Sequence, residues 1–170
     1  PTPIRRSLLR IFLIATVLAW SYAGAFPFSR DHAASPVKAA QAAALMRSGT
    51  FAKRTTVGAQ TVSGVGFQPK AVVFFWTKQA VEGFAAGDRI GMGFASGPGN
   101  QRVVAVAGNN AADPTNYGRR RSATNVIMLL SNGNPTLAAQ ASLTSLNADG
   151  FTVNWTTNDG AADIIHYVAL

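Results

Sequence analysis

The pattern of apolar positions changes character along the chain. Residues 8–28, LLRIFLIATVLAWSYAGAFPF, form a near-continuous apolar run interrupted by one charge, Arg10. A helix rises about 1.5 Å per residue, so about 20 apolar residues cross a hydrocarbon layer ~30 Å thick. The run reaches that length if the Arg10 guanidinium extends back to the headgroups. It therefore predicts a transmembrane helix carried by Leu8, Ile11, Phe12, Leu13, Ile14, Val17, Leu18 and Trp20. Ser35-Pro36 next combines a helix N-cap with a proline at the first helical position. VKAAQAAALMR then predicts a short alanine-rich helix from Val37 to Arg47, closed by Gly49.

From Thr50 onward the apolar period becomes two, with turn sequences at close intervals. Strands are expected at 50–57, 61–63, 71–77, 89–95, 101–108, 123–130, 137–146, 151–156 and 163–169. Between them lie Gly58-Ala59, Gly97-Pro98-Gly99-Asn100, Asn132-Gly133-Asn134-Pro135, Asp149-Gly150 and Asp159-Gly160. About nine short strands with no helices among them predict a mainly β domain, an antiparallel, jelly-roll-like sandwich. The expected organisation is a basic tail and anchor at 1–28, a tether at 29–49 and a sandwich at 50–170.

The strand faces divide into two kinds. Phe151, Val153 and Trp155 alternate with Thr152, Asn154 and Thr156, so that strand has one core face and one wet face. Ile90, Met92 and Phe94 alternate with Gly91 and Gly93, where a neighbouring backbone can approach closely. AVVFFWT, RVVAVA, NVIMLL and DIIHYVAL are apolar on both faces. Only one face of each sheet points into a two-layer sandwich, so some outer faces are expected to meet another surface: the 37–47 helix, a second copy, a partner subunit or a membrane.

Charge sharpens the topology. The chain carries a formal net charge of +8. Residues 1–54 hold eight basic side chains against Asp31 alone, whereas residues 55–170 hold seven against six acidic ones. Basic charge beside an apolar span suits anionic headgroups or acidic partner surfaces better than a nucleic-acid duplex, and the β domain is nearly neutral. Arg5, Arg6 and Arg10 predict a cytoplasmic N-terminus and a periplasmic domain, on a single pass through a bacterial inner membrane. A cleaved leader competes with this reading. Arg5-Arg6-Ser7-Leu8-Leu9 fits the core of a twin-arginine signal, and Ala23-Gly24-Ala25 makes a good cleavage pattern. Pro1 is what removal of an initiator Met leaves, while a cleaved chain would start near Phe26, so a retained anchor is expected.

GVGFQPKAVVFFWT, DRIGMGFASG, Arg119-Arg120-Arg121-Ser122 and DGFTVNWTTNDGAADIIHYVAL together resemble an uncharacterised β-sandwich module of phage-like and metagenomic structural proteins, over roughly residues 50–170. The resemblance implies a virion or tail component and brings no catalytic residues. An anchor is not expected of a virion protein, which implies reuse of the module in a cell envelope.

No catalytic set is legible. The chain has no cysteine and two histidines, His32 and His166, and no G-x-S-x-G elbow accompanies either. Glu82 is the single glutamate, and each aspartate of the β domain sits in a turn or loop, where Asp is favoured for backbone reasons. No metal, cofactor or catalytic residue is expected. Trp76, Trp155 and Tyr167 are expected in the core. Tyr117, Arg119, Arg120 and Arg121, in an expected loop at 109–122, are the candidate contact for an anionic partner. The leading expectation is a non-catalytic structural or docking subunit of a membrane complex, respiratory or photosynthetic, whose partners are other subunits, the bilayer and further copies of itself, with no nucleic acid. The alternative is an exported or virion-type module that binds glycans or surfaces.

Overall fold

The computed structural model describes residues 45–109, 116–131 and 136–170. The anchor at 8–28 and the alanine-rich helix up to residue 44 lie outside them. Among the described residues there are ten strands and no helix, and hence no helix long and apolar enough to cross a membrane.

The strands are β1 (Arg47–Ala52), β2 (Gly58–Ser63), β3 (Val72–Trp76), β4 (Asp88–Gly97), β5 (Asn100–Asn109), β6 (Asn116–Ser122), β7 (Ile127–Leu130), β8 (Leu137–Asn147), β9 (Gly150–Thr157) and β10 (Ile164–Ala169). They form two antiparallel sheets, one ordered β1-β10-β3-β4-β5-β6 and the other β2-β9-β8-β7. β3 to β6 meander within the larger sheet and β7 to β9 within the smaller. The chain changes layer at only four connections, whereas a jelly roll changes layer at most of its connections.

Three expectations are corrected. Arg47 and Gly49, read as the end and cap of a helix, lie in β1, where the Tyr167 ring covers Gly49. The expected loop at 109–122 ends in strand β6, which raises the count from about nine to ten. The strand expected at 123–130 is confined to Ile127–Leu130, because residues 123–126 carry the chain from one layer to the other.

Strand alternation builds the core. Val72, Phe74 and Trp76 from β3, Val103, Ala105 and Ala107 from β5, and Leu143, Phe151, Val153 and Trp155 from the facing sheet are buried together. Phe151 is the hub of an aromatic cluster. Its ring meets Phe74 and Tyr167 edge-on at 5.2 Å each and Phe51 at 6.0 Å, in the T-shaped geometry that aromatic quadrupoles favour. The expectation that Trp76, Trp155 and Tyr167 serve packing holds. The glycines of β4 do as their sequence anticipates. A Cβ on Gly93 would stand 1.8 Å from the Val126 carbonyl oxygen, so this strand admits the incoming backbone of the layer crossing, and Gly91 lies against the Trp76 ring.

Buried polar groups tie the layers together. Gln101 reaches across from β5, accepting from the Leu143 N–H at 2.8 Å and donating to the Pro98 carbonyl at 2.6 Å. Within the smaller sheet, the Trp155 indole N–H donates to Gln60 Oε1 at 2.9 Å. Both contacts satisfy groups that burial would otherwise leave costly.

Candidate functional site

Residues paired directly across an antiparallel sheet share a face, so the register of the six-stranded sheet defines its exterior row by row. One row runs Thr50, His166, Phe75, Met92, Val104, Arg121. The next holds Ala52 and Ile164 on one side and Ile90, Val106 and Arg119 on the other, with Thr77, just past the end of β3, lining the surface beside them. A third includes Ser48, Val168, Val73, Phe94 and Arg102. Apart from Asp88, Arg102 and His166, the four middle strands thus present an apolar exterior, and the two edge strands a polar one. Phe75, Ile90, Met92, Phe94 and Val104 are between 41% and 58% exposed, although each alternates with a buried neighbour. Between the first two rows lies a shallow depression of about 450 Å³, bordered by Phe75, Ile90, Met92, Val104, Val106 and His166.

The smaller sheet differs. Its exterior carries Thr61, Gln140, Ser142, Thr144, Thr152 and Asn154, with the Thr61 and Thr152 hydroxyls hydrogen-bonded to each other at 3.0 Å and the Thr144 hydroxyl donating to the Thr152 carbonyl at 3.1 Å. One exterior is made for water. The other exposes contiguous large apolar side chains of the kind that mark interaction surfaces.

The connection 77–87 between β3 and β4 borders the apolar exterior at one end of the strands. It carries Val81, which is exposed, and Phe84, which is exposed in full. Glu82 stands on the β1 and β10 side, sharing a hollow of about 330 Å³ with Thr50, Ile164 and His166. Phe84 shares another, of about 410 Å³, with Ile90, Val106 and Tyr117 on the opposite side.

Formation of β6 divides the arginine cluster. Arg119 and Arg121 pair with Val106 and Val104 and share their outward face, while Arg120 pairs with the inward-facing Ala105. Tyr117 lies outward with its ring laid over Gly108, where a Cβ would come within 2.3 Å of it. Arg119, Arg120 and Arg121 make no ion pair among the described residues. The structure therefore brings Tyr117, Arg119 and Arg121 together along one border of the apolar exterior and turns Arg120 away. The other sequence-predicted residues, Leu8 to Trp20, lie outside the described residues.

Other polar groups have structural explanations. His166 and Glu82 line one hollow, and among the described residues neither side chain is hydrogen-bonded to the other or to a hydroxyl. No group of three metal-ligating side chains occurs among the described residues.

Sequence reasoning missed a buried ionic cluster. The fully buried Lys53 ammonium donates to Asn158 Oδ1 at 2.7 Å and Asp159 Oδ1 at 3.0 Å, and lies 5.6 Å from the centre of the Trp155 ring. Lys78, with φ of 53°, reaches Asp159 at 2.7 Å and the buried Asp163 at 3.7 Å. Partial burial alone would raise the Asp159 carboxyl, but hydrogen bonds from Lys78 and Lys53, the Lys78 charge and the Ala161 N–H outweigh it and hold the group at about 2. Lys53 and Asp159 are more than a hundred residues apart, so no local spacing could announce them. At the β8–β9 turn, the Gly66 and Gly64 N–H groups donate to Asp149 at 2.6 and 2.9 Å and lower its pKa.

Fold and surface define a class: a two-sheet, all-β domain with one polar and one apolar, arginine-edged exterior. No protein-family model, curated protein or solved structure matches the chain.

Proposed function

We propose that this chain is a non-catalytic structural or docking subunit of a larger membrane assembly, its N-terminal span holding the β domain on the periplasmic side. An accessory subunit of a respiratory or photosynthetic complex is one form of this role. The observation that carries the reading is the apolar exterior of the six-stranded sheet. Burying apolar surface is worth about 25 cal/mol per Å², so five large side chains left half-exposed on one face favour a covered state. The apolar run at 8–28, taken as a membrane span, adds the reason to look for the partner among membrane components.

Gentle extraction of the full chain from its own membranes, followed by size analysis, tests the proposal. The expected result is a particle in which the chain is stably bound through this face, so that Met92→Asp releases it. A lone monomer without a stable partner overturns the reading.

A further inference from the structure

The apolar exterior has a symmetry that specifies its occupant. Its four apolar strands, β10, β3, β4 and β5, are flanked by the polar edge strands β1 and β6. A two-fold axis lying in the contact plane, parallel to the strands and between β3 and β4, exchanges β3 with β4, β10 with β5, and β1 with β6. Each row then covers itself in reverse, the third laying the Arg102 stem over the second copy's Val168. Phe75 lies over the second copy's Met92, and His166 over its Val104. In the next row Ile164 lies over Val106. The shallow depression between these rows gives the opposing side chains room to interdigitate at the ~10 Å separation of packed sheets.

We propose that the occupant of this face is a second copy of the same chain, stacked sheet on sheet about that axis. The inference rests on the docking reading above and commits its partner.

Charge selects this arrangement. Glu82 stands on the β1 and β10 side of the face, and Arg119 and Arg121 stand on β6. The axis parallel to the strands brings the acidic side of each copy over the arginine border of the other, twice per dimer. A two-fold axis across the strands would instead lay β6 on β6, setting four arginines against one another, which opposes association. Sheets in aligned packing cross at about 30°. At two and a half strand spacings from the axis, about 12 Å, that crossing displaces the edges by about 6 Å, one row. Glu82 therefore meets either Arg119 or Arg121, and both must be changed to remove its partner. The exposed Phe84, which stands on the β5 and β6 side, then faces the β10 and β1 side of the other copy.

The test uses the full chain in phosphatidylcholine vesicles. The sequence has no cysteine, so Thr144→Cys, on the polar exterior, carries a unique donor or acceptor dye, and energy transfer between copies reports association as lipid dilutes the protein. Transfer is expected to persist on dilution. Glu82→Arg, or Arg119→Glu with Arg121→Glu, is expected to weaken association about tenfold or more, and the three changes together to restore it to within about threefold. Rescue by the charge swap cannot come from misfolding. Absence of transfer, or transfer indifferent to both charge changes, overturns the second copy. If transfer is absent while native extraction yields the chain bound to a different subunit, the docking reading stands without it. If extraction yields only a monomer, both fall.

Discussion

Asp159 illustrates how much one residue does here, because its carboxylate receives both Lys53 and Lys78 and anchors the connection between β9 and β10. Its pKa lies below the ordinary carboxylate value of 3.8, at about 2. A depressed folded-state pKa stabilises the fold above the unfolded value, and this contribution disappears as pH falls through the folded one. Thermal stability measured by circular dichroism is therefore expected to fall from about pH 4 to pH 2, and Asp159→Asn to flatten that slope in part, Asp149 still titrating in the same direction. Lys53→Met is expected to cost about 2 kcal/mol in urea unfolding, since Asp159 loses one of its two cations. At Gly93 the Val126 carbonyl occupies the place of a Cβ. Gly93→Ala is expected to lose about 2 kcal/mol or more by the same measurement, and an unchanged midpoint would contradict this close approach. The alternation of apolar residues around Gly93 was readable in the chain. The ionic cluster was not, because its members are adjacent only after both sheets have formed.

Elements were legible where period and turn chemistry agreed. Strands β3, β4, β5, β8, β9 and β10 fall close to their expected positions, β4 and β9 with a clear period-two face and β3, β5 and β10 as short apolar runs. β6 was not legible. NYGRRRS has no apolar face, and it becomes a strand because β5 offers an unpaired edge. Arginines on such an edge also discourage further strands from pairing with it. The alternation of β6 makes a distinction that a loop would not. Arg119→Ser combined with Arg121→Ser is expected to alter association through the apolar exterior and Arg120→Ser to leave it unchanged, each single change shifting stability by less than about 0.5 kcal/mol. Equal effects on association would contradict the division of the cluster. The layers depend on Gln101, whose loss leaves the Leu143 N–H buried without a partner. Gln101→Leu is expected to cost about 2 kcal/mol in chemical unfolding, and a neutral substitution would contradict that bridging role.

At the scale of the molecule, the two exteriors tell different stories. The sequence announced oily outer faces through strands apolar on both sides. Only folding showed that they gather on the larger sheet while the smaller one turns threonine, serine and asparagine outward. NVIMLL, read among the two-faced strands, instead becomes the fully buried β7, so one such strand contributes nothing to the exterior. The account depends on the larger sheet being covered where the protein resides. Labelling by a membrane-permeant maleimide of the full chain, carrying Met92→Cys or Thr144→Cys and assayed in its own membranes, measures this directly, because both positions are exposed in the domain alone. The account predicts that the cysteine at position 92 reacts at least about tenfold more slowly than that at 144, with the difference erased on unfolding. Equal rates in the folded, membrane-resident protein would contradict it.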